Sequence, residues 1–200
     1  MKLPLYQIDA FTSRVFGGNP AAVVLMDEWL ADERLLAIAA ENNLPETAFV
    51  IPRADVSPLR WFTPSIEMDL CGHATLAAAH VLFTHRFPSL ERMTFSSRSG
   101  NLVVTKRGDR LVLDFPSRPG NLVEDTNSLV QALGIQPSAA YQARDLLAIV
   151  ESEEEVRAFQ PDFTRIAALE AMGLILSAPG KNVDFVSRFF APRAGVPEDP

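Results

Sequence analysis

Glu46 follows Asn43-Leu44-Pro45 and stands just ahead of the apolar run Ala48-Phe49-Val50. A carboxylate at the start of a strand can project into a cleft, and partial desolvation raises its pKa toward the range useful for moving protons near neutral pH. Taken alone, the same position fits a surface glutamate beside a turn better. His73 lies in Cys71-Gly72-His73, which opens the apolar run from Ala74 to Phe83. As the start of a helix, that triplet offers free backbone N–H groups and a positive dipole end, a ready site for an anionic group. Gly72 removes the side chain that would hold a ligand away from that backbone. The same dipole disfavours the protonated imidazole, so His73 is expected to be neutral, giving or receiving a hydrogen bond.

Asn19 sits in Gly17-Gly18-Asn19-Pro20, a tight turn in which asparagine often stabilises its own backbone. Cys71 is the sole cysteine. It therefore excludes an intramolecular disulfide and a cysteine-based zinc cage, and fits a reducing compartment. It reads as a small buried residue. His73 and His80 are two helical turns apart, on the order of 10 Å, too far to share one ion, so no metal is expected; His80 and His85 read as structural. Gly17-Gly18 lacks the G-x-G-x-x-G spacing and there is no P-loop, so nothing calls for a nucleotide cofactor.

These residues need elements to hold them. Residues 3–10 and 21–26 read as strands joined by the Gly-Gly-Asn-Pro turn. Asp32 is placed to cap a helix with Leu35, Leu36, Ile38 and Ala39 on one face, ending near Asn42-Asn43 ahead of Pro45. Residues 47–51 and 59–62 read as extended, and a helix over 73–84, apolar on nearly every face, is expected to be wrapped on all sides. Strands follow at 94–95, 102–105 and 111–115, the last two joined at Gly108-Asp109. Pro116-Ser117-Arg118-Pro119-Gly120 is the best linker, giving domains 1–117 and 118–200. Beyond it come helices near 126–133, 153–159 and 162–168, and strands at 145–150, 173–177 and 183–190. The acidic run Glu151-Ser152-Glu153-Glu154-Glu155 reads as a solvated helix start.

A 200-residue chain that is 48% hydrophobic can build one large or two small cores. A net charge of −7 with no basic stripe argues against a nucleic-acid partner. No apolar run reaches spanning length and the first residues lack a signal-peptide core, so no membrane partner and a cytoplasmic location are expected.

Four segments together resemble one family: Gly17-Gly18-Asn19-Pro20-Ala21-Ala22-Val23, Asn43-Leu44-Pro45-Glu46-Thr47-Ala48-Phe49, the stretch from Phe62 to Ala77, and Phe189-Phe190-Ala191-Pro192-Arg193-Ala194-Gly195-Val196-Pro197-Glu198-Asp199-Pro200. Their types and order are similar to those of the phenazine-biosynthesis PhzF-like isomerases, relatives of the cofactor-independent diaminopimelate epimerases. The resemblance implies an α+β protein of two similar halves, each a curved, mostly antiparallel, barrel-like sheet around a central helix, with the active site between them. It implies a cofactor-independent isomerase acting on a small anionic substrate, and a homodimer. Glu46 would be the acid/base, His73 would face the substrate, Asp199 would be a second active-site carboxylate, and Asn19 and Gly72 would contact the ligand. Two carboxylates in one cleft split their pKa values, which separates donor from acceptor.

Two departures stand out. Pro45 replaces a serine common among relatives and supplies neither hydroxyl nor N–H. The second half also contains no counterpart of the helix at His73, where family members continue past this point into a Thr-Gly-Ser-Ala type loop. Either a fragment of a longer protein or a core completed by something else is therefore expected, with the apolar faces of residues 173–177 and 183–190 covered by another chain or by further protein. An amino-acid racemase using Cys71, although such enzymes need two opposed thiols, and a non-catalytic binder of small molecules are the alternatives.

Overall fold

Tight turns and short amphipathic segments organise the chain into two compact units, Met1–Pro116 and Ser117–Pro200. The structure is a computed structural model and describes residues 2–14 and 16–200.

In the first unit, β1 (Leu5–Ala10) and β2 (Asn19–Leu25) are antiparallel, with Ala10 opposite Asn19. Gly18, at φ +71°, makes the reversal possible, because a Cβ there would stand 2.0 Å from the Ala10 carbonyl oxygen. Asn19 and Pro20 thus begin the strand and do not form the turn. The helix α1 (Asp32–Asn42) turns Leu35 and Ala39 inward and stops at Asn43, whose left-handed backbone (φ 51°) sends its N–H to the Ala39 carbonyl. Asp32 is its first residue and makes no cap; its carboxylate accepts from Arg60 at 2.9 Å instead.

The strands β3 (Glu46–Val50), β4 (Val56–Phe62), β5 (Glu67–Met68), β6 (Arg92–Ser97), β7 (Gly100–Arg107) and β8 (Arg110–Asp114) complete an eight-stranded sheet in the order β1-β2-β3-β4-β6-β7-β8, with β5 paired to β4. Only the β2–β3 and β4–β6 pairs are parallel. One face carries α1, which packs Leu35 and Ala39 against Val24, Phe49 and Phe62. The helix α2 (Gly72–His85) packs against β1, β2, β3 and β8. Nine of its fourteen residues are buried, yet Leu76 is half-buried and His80 and Thr84 are exposed. The expectation of burial on all sides is corrected here. Alanines make much of the helix apolar, but Leu76 and His80 border a cavity of about 800 Å³ reaching from Ile8 and Asp9 to Arg110 and Leu111.

The second unit holds β9 (Asn121–Leu122), α3 (Asn127–Leu133), β10 (Ala139–Gln142), β11 (Leu146–Ile149), α4 (Glu153–Ala158), α5 (Phe163–Ala167), β12 (Leu174–Pro179), β13 (Phe185–Ala191), a 3₁₀ turn over Pro192–Ala194, and β14 (Val196–Asp199). Its six strands run β14-β13-β12-β11-β10-β9, with only β11 and β12 parallel. The three helices cover one face, packing Leu129, Leu133, Val156 and Ile166 on Leu174, Leu176 and Phe190. Strand alternation puts Tyr141, Leu147, Ile175 and Phe189 in register on the opposite face. This row is half-buried to exposed and ends at Asp199, paired with Phe189. The sheet is therefore covered by helices of its own unit on one side, and no central helix like α2 is found among its described residues.

Candidate active site

Glu46 opens β3 because Pro45 ends the preceding turn and Thr47 to Val50, all buried, draw the chain into the sheet. Its neighbour across the parallel pair is Ala21. Asn19 lies two residues before Ala21, so Asn19 and Glu46 share one face and one end of the sheet. Both are buried, at 5% and 8% exposure. Glu46 is thus a buried strand residue and not a surface glutamate.

His73, in the first turn of α2, is 5% exposed. Its Nε2 stands 3.4 Å from Glu46 Oε2. Burial pushes the imidazole pKa down to about 4, opposed in part by the Pro20 carbonyl beside the ring. Near neutral pH His73 is therefore uncharged, and its contact with Glu46 is not an ion pair. The dipole argument anticipated the neutral state, but desolvation is its largest cause.

Cys71 precedes the helix in extended conformation (φ −145°, ψ 120°) and supplies no side-chain cap. Its carbonyl accepts the Thr75 hydroxyl at 2.5 Å, which ties it to the first turn. Its Sγ lies 3.6 Å from His73 Nδ1. Gly72 is half-buried, and a Cβ there would meet the Phe115 ring at 3.3 Å. The missing side chain makes room for Phe115 as well as for any ligand at the first-turn N–H groups. Phe115, Thr75 and the Pro20 carbonyl were not anticipated from sequence, since none carries a signal of its own.

Glu46, Cys71 and His73 bring an oxygen, a sulfur and a nitrogen within 4.8 Å of one another, a spread compatible with metal ligands. The sulfur, however, approaches Nδ1 and the oxygen Nε2. One ion binds one ring nitrogen, so an ion held by all three residues would use only one of these two contacts. Asp199 ends β14 in the second unit, half-buried.

The geometry can be set beside known proteins. The sequence profile of the PhzC-PhzF family, described as phenazine biosynthesis-like protein, matches residues 8–200. A protein of Pseudomonas aeruginosa named as an uncharacterized isomerase is 54% identical over 201 residues, covering 100% of this chain and 77% of the relative. The crystal structure of a PhzF-family phenazine biosynthesis protein from Enterococcus faecalis superposes with a TM-score of 0.90 at 45% identity, over 100% of this chain and 77% of that one. At 9% identity, a structure described as a "probable proline racemase" from Agrobacterium radiobacter K84 shares the fold, with a TM-score of 0.60 over 99% of this chain and 72% of its own. The α+β architecture is thus that of the epimerase and racemase folds. The chain belongs to the PhzC-PhzF, phenazine biosynthesis-like family.

Proposed function

We propose that this protein is a cofactor-independent isomerase that moves a proton within a small carboxylate-bearing metabolite. The observation that carries this reading is the buried Glu46 carboxylate held 3.4 Å from a neutral imidazole at a helix start. A carboxylate in a water-poor site can take a proton from carbon and return it elsewhere, while an uncharged imidazole orients by hydrogen bonding without quenching its charge. The first turn of α2 has no side-chain cap, which leaves its N–H groups and dipole to favour an anionic substrate. In this reading Glu46 carries the proton, His73 faces the substrate, and Asn19 and Gly72 line the binding site. Asp199, assigned by its sequence motif, acts as the second carboxylate. The name of the Pseudomonas relative, an isomerase, agrees with the reaction class.

The test is incubation of the protein with a panel of small unsaturated and amino carboxylates in deuterated water. A shifted double bond with deuterium on carbon supports the proposal. Saturable binding with no exchange across the panel would favour a binding protein, and inverted stereochemistry at a single carbon would favour an epimerase.

A further inference from the structure

His73 presents one ring nitrogen to each of two different groups: Nδ1 to Cys71 Sγ at 3.6 Å and Nε2 to Glu46 Oε2 at 3.4 Å. The ring is 95% buried, and Nε2 makes no hydrogen bond of good geometry at rest. A neutral imidazole has one N–H and one lone pair, so its two neighbours must be served by opposite roles. An N–H on Nε2 places a donor 3.4 Å from a carboxylate oxygen. An N–H on Nδ1 would leave the Nε2 lone pair against that oxygen, which is repulsive while Glu46 is ionised. The Nε2–H form in turn needs a donor at Nδ1, and a thiol S–H is one.

We propose that Cys71 is a positioning residue whose thiol donates to Nδ1 of His73 and thereby keeps the ring proton on Nε2, facing Glu46. The groups around the ring are the Glu46 carboxylate from β3, the Pro20 carbonyl from β2, and Cys71 from the residue preceding α2. Thr75 holds the Cys71 backbone in place for this contact. Cys71 thus acts through His73 and carries no proton to substrate itself.

The role concerns the resting protein and is tested without substrate, so its failure would leave Glu46 as proton carrier untouched. The chain has three histidines, and His73→Asn identifies the ring signals of His73 by their loss. Nitrogen-15 ring spectra at pH 7 are expected to show a protonated Nε2 and an unprotonated Nδ1 in the wild type. Cys71→Ser, which keeps a hydroxyl donor, should retain that pattern. Cys71→Ala should lose it, giving a mixed or reversed tautomer; Cys71→Val, close in size and without a donor, replaces it if the alanine variant does not fold. An Nδ1–H tautomer in the wild type would overturn the proposal, showing that sulfur or the Pro20 carbonyl is the acceptor. So would an unchanged Nε2–H tautomer in both donor-free variants.

Discussion

The two units use the same materials, a mostly antiparallel sheet and short helices, but finish them differently. In the first, both faces of the central strands are buried: Trp61 and Phe62, adjacent on β4 and pointing to opposite faces, are 1% and 3% exposed. In the second, Leu174 is fully buried beneath the helices, while its neighbour Ile175 is half-buried in the opposite row. The helix starts differ in part as well. In the second unit Ser152 and Glu155 form a capping box at α4 and Asp162 caps α5 through two backbone N–H groups, while α3, like α1 and α2 of the first unit, opens with no side-chain cap. Side-chain caps stabilise the starts of α4 and α5; under the proposed function the first turn of α2, beside Glu46 and His73, serves the ligand instead.

Paired substitutions on one strand sharpen the contrast most. Trp61→Ala and Phe62→Ala should each cost about 3–5 kcal/mol, since both faces are dry. Leu174→Ala should cost about 2–5 kcal/mol, but Ile175→Ala only about 1 kcal/mol or less. Denaturant melts with a probe in each unit measure this. Equal costs at 174 and 175 would show that the row through Ile175 is as well covered as the first unit's sheet.

The next effect is a pH dependence belonging to the first unit. His73 has a pKa of about 4 in the fold, against an ordinary imidazole near 6.5, so between those values the unfolded chain binds more protons. Stability therefore rises with pH across that window, and acidification through it costs up to about 3 kcal/mol. His73→Gln should flatten that part of the profile; an unchanged slope would mean that the ring is not buried in its neutral form. The smallest effect lies in the second unit, where Ser152→Ala should cost about 1 kcal/mol by opening the capping box. A change near zero would remove the distinction between capped and uncapped starts.

Much of this was legible in the sequence, for identifiable reasons. Local patterns showed the run that became α2, the punctuated segment near Pro116 and the turn at Gly108-Asp109. The strand Ala139–Gln142 shows no clear alternation of apolar and polar residues, so its sequence does not announce it. The acidic run Glu151–Glu155 marks the helix start, and Ser152-x-x-Glu155 within it is the sequence signature of the capping box. The open line 76–80–84 carries its own signal in His80 and Thr84, polar residues four apart on one face, outweighed in the sequence by the apolar residues around them. The contact between Cys71 and His73 lay outside the usual spacing rules: residues two apart do not face each other on a helix, and only the extended backbone at Cys71 turns the sulfur back toward the ring.

The account stands on Glu46 as the proton carrier, and one comparison addresses it directly: deuterium wash-in from solvent to a carbon-bound position, at pH 7, by wild type and by Glu46→Gln. Glutamine is nearly isosteric and keeps the start of β3, but it cannot ionise. Wash-in is predicted for the wild type and a loss of at least ~10²-fold for the variant, the scale of a positioned acid/base, with an unchanged melting profile. Near-equal rates in the two proteins would contradict the assignment and place the proton on another group.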